Sequence, residues 1–290
     1  MVVPSAMELN QALAVATKVA RHVGTRIKES IGTDNFSSSL KSRDDLVTQI
    51  DIWSESEIKK SISEWYPDHL IIGEESARDL ESQTGKSLQQ LSSLGWSWIV
   101  DPLDGTANFV SGIPYSAVSI ALLLDGEVML GVVYDPFRAE MFTAIKGRGA
   151  ELNGKKIVTR DTAKLSDAVV TTGFPSTRYQ FWPLFREAHL VLIENCRRVR
   201  MLGASALELC WVALGRTDGF FEYHLKCWDV AAGSLIVKEA GGEIGCIVKP
   251  GSYNVFAESC LASGKELFQP LTELCRRADE IGRKNQESKR

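Results

Sequence analysis

Residues 98–109 read Trp-Ile-Val-Asp-Pro-Leu-Asp-Gly-Thr-Ala-Asn-Phe and carry the most informative pattern in the chain. The apolar run that opens the segment is typical of a buried strand, and it leads directly to Asp101. A Pro and a Gly favour bends here, so Asp104 can face the same side as Asp101. Two carboxylates at a strand end suit Mg²⁺, Mn²⁺ or Ca²⁺ better than Zn²⁺. We predict a divalent-cation site, although Asp-Pro-X-Asp-Gly by itself is also typical of a simple turn.

Two further acidic segments follow the same plan. Glu74 and Glu75 come after an apolar run that ends in Gly, and Asp229 opens a small-residue segment with helical character. Each has a simpler interpretation, as a solvated pair of glutamates and as a helix N-cap. Together these carboxylates would repel one another, and a divalent cation would remove that repulsion. Two cations about 3.5–4 Å apart could hold both the attacking and the leaving oxygen of a phosphoryl transfer.

Seven segments of the chain resemble the inositol monophosphatase family in order and spacing. They are residues 45–51, 73–76, 101–106, 131–136, 146–150, 228–233 and 239–242. The resemblance extends over roughly residues 7–270. It implies an α/β layered fold, the alternating α-β-α-β-α sandwich of the sugar-phosphatase superfamily.

The resemblance also implies a site that holds two to three Mg²⁺ ions. Glu74, Asp101 and the backbone carbonyl of Leu103 match the ligands of the first ion. Asp101, Asp104 and Asp229 match the ligands of the second. A third, looser Mg²⁺ is expected near Glu74.

Catalytic and phosphate-binding roles follow from the same resemblance. Thr106 and Asp51, with Glu74, are expected to orient and deprotonate the attacking water. The backbone N–H groups of Gly105 and Thr106 should face the phosphate at a helix start, which favours anions. Lys41 matches a family lysine that helps to seat a metal and the phosphate, although a solvated loop lysine is the simpler alternative.

Substrate contacts are expected from two places. The first is the segment Gly203, Ala204 and Ser205, where the family commonly has Gly-Thr-Ala or Gly-Ser-Ala. The second is Glu222, which could accept hydrogen bonds from vicinal hydroxyls of a polyol, or could be a surface glutamate at a strand end. Lys226 stands where the animal enzymes carry His, and it could favour a more anionic substrate or point to solvent.

The resemblance implies a Mg²⁺-dependent, Li⁺-sensitive phosphatase that hydrolyses inositol monophosphate to inositol and phosphate with a metal-activated water. Fructose-1,6-bisphosphate, histidinol phosphate and adenosine 3′,5′-bisphosphate remain open as alternative substrates. A third hypothesis is non-catalytic, because some bacterial relatives bind RNA polymerase and antitermination factors. A small phosphate monoester is the expected ligand, and a homodimer is the expected assembly.

Composition and charge limit the other classes of function. The chain has 290 residues, 44% of them hydrophobic, and a net charge of −4, so it lacks the basic footprint of a protein whose main ligand is nucleic acid. Its six cysteines lie in the C-terminal third without metal-ligand spacing. No signal-peptide pattern opens the chain, so we expect reduced thiols in a cytoplasmic protein. The apolar stretches are too short to cross a membrane.

The pattern predicts one domain over 1–290, with an N-terminal α+β part near 1–150 and a C-terminal α/β part near 151–275. Helices are expected at 7–30 and 51–65, a mobile loop at 34–44 and a surface excursion at 77–95. Strands are expected at 98–101, 116–124, 127–134 and 140–145, with a hairpin turn at Asp125-Gly126. Strands at 168–172, 197–201 and 217–222 should alternate with helices at 180–195, 204–215 and 229–240. The charged segment 277–290 is expected to fray.

Overall fold

The computed structural model describes residues 5–33, 38–42, 45–174, 178–247, 253–257 and 259–287. Two long helices, α1 (Ala6–Ser30) and α2 (Gln49–Ser63), confirm the predictions at 7–30 and 51–65. The predicted loop at 34–44 is wrong for residues 38–42, which form strand β1 (Ser38–Ser42) against β2 (Asp45–Thr48). Residues 34–37 and 43–44 lie outside the described part of the chain.

A seven-stranded mixed sheet forms the larger β layer. In spatial order its strands are β3 (Leu70–Gly73), β4 (Trp96–Asp104), β5 (Ala117–Leu124), β6 (Glu127–Asp135), β7 (Glu140–Ile145), β8 (Ala150–Leu152) and β9 (Lys155–Ile157). Only the β3–β4 pair of this sheet is parallel. Asp125 and Gly126 both have positive φ, 50° and 82°, as a type I′ hairpin turn requires, so that prediction is confirmed.

Three short helices lie along the connections of the larger sheet. Helices α3 (Ala77–Thr84) and α4 (Leu88–Ser92) occupy the predicted surface excursion at 77–95. Helix α5 (Thr106–Val110) begins just after β4 ends. A strand end and a helix start therefore meet at the Asp-Gly-Thr segment.

A five-stranded mixed sheet forms the second β layer. Its spatial order is β11 (Arg198–Arg200), β10 (Val169–Thr172), β12 (Gly219–Tyr223), β14 (Ser259–Ser263) and β13 (Glu243–Gly245). The helices of this half are α6 (Arg178–Asn195), α7 (Ser205–Ala213), α8 (Cys227–Glu239) and α9 (Lys265–Glu287). The predicted alternation of strands and helices between 168 and 240 is confirmed.

Three apolar clusters hold the layers together. The first joins α1 and α2 to one face of the larger sheet. The second places α7 and α8 between the two sheets, and the third joins α6 and α9 to the outer face of the smaller sheet. This arrangement is the predicted α-β-α-β-α sandwich, in which each sheet buries both of its faces against helices.

The predicted fraying of 277–290 is wrong for residues 277–287, which continue α9. Ala278 and Asp279 are buried in that helix, which packs against α6. The predicted division near residue 150 stays a prediction. All six cysteines lie in the described residues and are free thiols, as expected. No described helix combines the length and apolar character needed to cross a membrane.

Candidate active site

A bulge at the end of β4 brings Asp101 and Asp104 to the same side of the strand. Asp101 pairs with Ser119 and Asp104 with Ala117, so three steps along β4 correspond to two steps along β5. Residues three apart on a regular strand point to opposite faces, and one extra residue reverses that relation. Both residues are buried, since only 2% of the surface of Asp101 and 7% of that of Asp104 is exposed to solvent. The local sequence therefore folds into a paired acidic site.

The charges of three other carboxylates act on Asp101 at this strand end. Burial raises the pKa of Asp101 well above its ordinary value, and the charges of Glu74, Asp104 and Asp229 raise it further. Glu74 follows β3, the parallel neighbour of β4, and its N–H donates to the carbonyl of Val100 at 3.1 Å. Asp229 is the third residue of α8, not its first as predicted. The structure thus brings together the four acidic residues predicted as metal ligands.

Backbone N–H groups donate hydrogen bonds to three of these carboxylates, those of Asp101, Asp229 and Asp104. Asp101 accepts from Leu103 at 3.1 Å, and Asp229 accepts from Lys226 at 2.6 Å. Among the described residues, no group of three or more Asp, Glu, His or Cys side chains is arranged, as it stands, to hold a metal ion. A carboxylate has about four lone-pair sites, so these hydrogen bonds leave oxygen atoms available to a hard cation.

Asp104 has two such bonds, and they connect it to the start of α7. Its Oδ1 accepts from the N–H of Ser205 at 3.1 Å and its Oδ2 from the N–H of Ala206 at 2.8 Å. Burial raises the pKa of Asp104 to about 7, although the bond from Ala206 lowers it. The start of α7 therefore orients this carboxylate across a sequence separation of about one hundred residues.

Thr106 and Asp51 form the pair expected from the sequence. The Thr106 hydroxyl donates to Asp51 Oδ1 at 2.8 Å. The other oxygen of Asp51 accepts from the N–H of Thr48 at 2.7 Å and from its hydroxyl at 2.5 Å. Thr48 is the N-cap of α2, so the helix start fixes the carboxylate that faces Thr106.

The segment Gly203–Ser205 lies against Gly105, the residue that follows Asp104. A Cβ on Gly105, whose φ is +90°, would come within 3.1 Å of the Gly203 carbonyl oxygen. The Ser205 hydroxyl donates to Glu222 Oε2 at 3.1 Å. Glu222 is 7% exposed and therefore is not a surface glutamate. Burial raises its pKa well above the ordinary value, and the charges of Glu208 and Asp229 add to this shift.

Two buried glutamates at the site were not predicted. Glu55 accepts from the N–H of Glu75 at 2.7 Å and pairs with Lys59 at 2.8 Å, so it holds the Glu-Glu segment. A Cβ on Gly73 would come within 2.4 Å of the Glu55 carboxyl group, so a larger residue there would force the Glu55 side chain out of this position. Glu208 is fully buried in α7. The available signal was a single Glu inside the apolar run 205–213, whereas Glu55 and Lys59 look like an ordinary surface pair.

The two lysines are placed differently. Lys41 lies in β1, but its side chain is outside the described part of the structure, so its role stays a prediction. Lys226 is exposed at the start of α8, where its backbone N–H donates to Asp229.

Comparison with known proteins agrees with the fold and these motifs. The model of the inositol monophosphatase family matches residues 8–280. Nus factor SuhB of Pasteurella multocida is 43% identical over 235 residues, which cover 81% of this chain and 84% of the relative. The crystal structure of the extragenic suppressor protein suhB from Bartonella henselae has a TM-score of 0.82 at 32% identity, over 92% of this chain and 99% of that chain.

The inositol monophosphatase from Anabaena (Nostoc) sp. PCC 7120 is a further solved structure of this kind. It has a TM-score of 0.79 at 31% identity, over 93% of this chain and 97% of that chain. The family match extends over most of the chain and includes every acidic segment of the site. The chain therefore belongs to the inositol monophosphatase family.

Proposed function

We propose that this protein is a Mg²⁺-dependent phosphatase that hydrolyses a small phosphate monoester, with inositol monophosphate as the preferred substrate. The observation that carries the proposal is the group of Glu74, Asp101, Asp104 and Asp229 at the bulged end of β4, where the charges of the other three act on Asp101. Family membership supports the same reaction.

The donor set fits a hard divalent cation. It consists of carboxylate oxygens, with the Leu103 carbonyl as a further oxygen ligand, and burial together with the charges of Glu74, Asp104 and Asp229 raises the pKa of Asp101. In this proposal Glu74, Asp101 and Leu103 would hold one Mg²⁺, and Asp101, Asp104 and Asp229 a second. When bound, Mg²⁺ would neutralise phosphate oxygens and make a water molecule more acidic.

Thr106 and Asp51 would then receive the proton of the attacking water. The Thr106 hydroxyl already donates to Asp51 at 2.8 Å, so Thr106 can accept a proton from water while it passes its own to Asp51. Thr48 keeps Asp51 in that position. Glu74 would orient the water, and the N–H groups of Gly105 and Thr106 would bind the phosphate. Lys41 is proposed to assist at the phosphate.

Ser205 and Glu222 would bind the alcohol side of the substrate. Their mutual hydrogen bond places a hydroxyl and a carboxylate next to the turn at Gly203 and Ala204. A polyol offers several hydroxyl donors to such a carboxylate, whereas a plain ester offers none. This difference supports a sugar or polyol phosphate as the substrate class.

The deciding experiment measures phosphate release from inositol 1-phosphate with Mg²⁺, with EDTA and with millimolar Li⁺. We expect release that EDTA abolishes and Li⁺ inhibits. Fructose-1,6-bisphosphate, histidinol phosphate and adenosine 3′,5′-bisphosphate form the comparison panel. Release only from one of these would retain the metal site and reject the inositol assignment. No release from any substrate, with Mg²⁺ present, would contradict the phosphatase proposal.

A second candidate function rests on the relatives named Nus factor SuhB, one of which is 43% identical. We propose that the chain also binds a component of the transcription machinery. The test is binding to RNA polymerase with its Nus factors, with wild type and with Asp101→Asn. Binding that survives the substitution would support a role independent of catalysis. Absence of binding by the wild type would contradict it.

A further inference from the structure

Glu208 reaches back from α7 to the turn that precedes its own helix. It is the fourth residue of α7 and is fully buried. Its Oε1 atom accepts from the N–H of Gly203 at 2.9 Å and lies 3.4 Å from the N–H of Ala204. Burying a carboxylate is costly, and burial raises the pKa of Glu208 to about 7. The two N–H groups offset part of this cost at Oε1, whereas Oε2 is buried without a hydrogen-bond partner among the described residues.

The turn that Glu208 holds also connects the two halves of the candidate site. Immediately after it, the N–H groups of Ser205 and Ala206 donate to Asp104, a proposed metal ligand. The Ser205 hydroxyl donates to Glu222, the proposed polyol contact. The position of this one turn therefore sets the geometry between the metal side and the alcohol side.

The turn is held from its other side as well. The Asn108 amide donates to the carbonyl of Leu202 at 2.7 Å and to the carbonyl of Tyr115 at 2.9 Å. Gly203 itself has a φ of +79°, a conformation that costs glycine little. Glu208 accepts from the N–H groups of the turn, and Asn108 donates to the Leu202 carbonyl that precedes it. Both the donors and an acceptor of the turn therefore have a side-chain partner.

We propose that Glu208 is a positioning residue that sets selectivity for polyol phosphates by fixing the turn at Gly203 and Ala204. It acts through Ser205 and Glu222 and does not touch the substrate. This inference rests on the proposed phosphatase function.

Two variants separate the hydrogen bond from the charge. Glu208→Gln keeps an amide oxygen that can accept from the same N–H groups, so selectivity should remain within about threefold of wild type. Glu208→Met has similar length but no acceptor. We expect it to lower the ratio of kcat/KM for inositol 1-phosphate to that for p-nitrophenyl phosphate by about tenfold, mainly through KM.

Asp218 offers a matched control. It is also a buried carboxylate that accepts a backbone N–H, from Val169 at 2.7 Å, and a hydroxyl, from Thr162 at 2.6 Å. It immediately precedes β12 and also pairs with Arg160 at 3.5 Å, and none of these contacts involves the turn at Gly203. Asp218→Asn should lower the Tm and leave the ratio of kcat/KM values unchanged.

Amide hydrogen exchange over residues 203–206 gives a readout that does not depend on activity. Faster exchange in Glu208→Met than in Glu208→Gln would support the proposal. An unchanged ratio of the two kcat/KM values, whether both are lost equally or neither is lost, would overturn it. If Glu208→Met fails to fold, Glu208→Asp decides, because its shorter carboxylate cannot reach the turn and selectivity should again fall. An inactive wild type would contradict the proposed function, whereas unchanged selectivity with an active wild type contradicts only this inference.

Discussion

Asp101 and Asp104 differ in how the backbone holds them, although both are buried acids on the same strand. Asp101 accepts a backbone N–H from Leu103 with one oxygen, whereas Asp104 uses both of its oxygens to accept N–H groups of α7. An asparagine can keep one accepting oxygen but replaces the other with a donor. The two sites should therefore respond differently to the same substitution.

Asp101→Asn should lower turnover by at least about a thousandfold, because it removes a ligand shared by both proposed Mg²⁺ ions. The metal-free variant should unfold at a higher temperature than wild type, because it removes the buried Asp101 carboxylate, which the charges of Glu74, Asp104 and Asp229 disfavour. Phosphate release and Tm in EDTA measure the two effects. A full-rate variant would contradict the metal-site assignment.

Asp104→Asn should also abolish turnover but should lower the Tm of the metal-free protein. Its amide N–H₂ would face the N–H of Ser205 or Ala206, and an unsatisfied buried donor costs about 1–3 kcal/mol. The comparison with Asp101→Asn under the same conditions is the control. A higher Tm in both variants would show that charge repulsion outweighs the lost hydrogen bond.

At the scale of elements, close approach of β6 and α8 depends on a glycine in the larger sheet. A Cβ on Gly131 would come within 2.7 Å of the Ala232 carbonyl oxygen. Because the nearest atoms are backbone, no change of rotamer can relieve the contact. Gly131→Ala should cost about 1–3 kcal/mol of unfolding free energy, measured by urea denaturation. Ala232→Gly should not rescue it, and a rescue would show that the side chain causes the clash.

His69 lies in the segment between α2 and β3 and contacts β4 through an aromatic group. The Trp98 indole N–H donates to its Nδ1 at 3.1 Å, and its ring stacks on Trp96 and Tyr66. Burial lowers the pKa of His69, and the charge of Asp68 acts in the opposite direction. The unfolded chain therefore binds the proton more readily than the folded protein. The contribution of neutral His69 to the free energy of unfolding is fully present above the unfolded pKa of about 6.5. It is lost as pH falls from there through the lower pKa of the folded protein.

His69→Gln tests this pH dependence, because glutamine can accept the indole N–H without titrating in this range. Wild type should lose more unfolding free energy between pH 7.5 and pH 5 than the variant does. Urea denaturation followed by tryptophan fluorescence at both pH values measures the difference. Parallel losses in the two proteins would assign the pH dependence to other groups.

At the scale of the whole molecule, α9 completes the outermost layer on the smaller sheet. Asp279 of α9 accepts from the Tyr223 hydroxyl at 3.1 Å and pairs with Arg283 at 2.7 Å. Tyr223 is the neighbour of Glu222 on β12. Gly282 lies against the backbone of Leu184 in α6, where an added Cβ would come within 2.7 Å. The end of α9 therefore supports the strand that carries a proposed substrate contact.

A chain that ends at Arg276 should lose about 2–5 kcal/mol of unfolding free energy, because it exposes the α6 surface and removes the partner of Tyr223. Tyr223→Phe is the control and should cost only about 1 kcal/mol, since Asp279 keeps its ion pair with Arg283. Thermal unfolding compares the three proteins. A truncated chain as stable as wild type would show that this part of α9 is dispensable.

The local sequence determined much of the fold because turns, helix periodicity and strand character are local properties. The Asp125-Gly126 hairpin, α1, β4 and the alternation after residue 168 follow from such patterns. The acidic motifs likewise indicated which carboxylates act on Asp101, because strand ends and helix starts gather at one edge of the layers, and their role as metal ligands stays a prediction. The prediction that 277–290 frays was wrong for residues 277–287 of α9, because the many charged residues on the exposed face of the helix outweighed the few apolar ones on its buried face.

Only the tertiary structure decided which distant groups satisfy the buried charges. Glu55 accepts from the backbone of Glu75, and Asp104 accepts from the start of α7. The placement of β14 between β12 and β13 is of the same kind. Each depends on packing between segments far apart in the chain, where the loss of water makes a matching partner necessary. Residue types show which groups need a partner, and the packed layers determine which partner each one has.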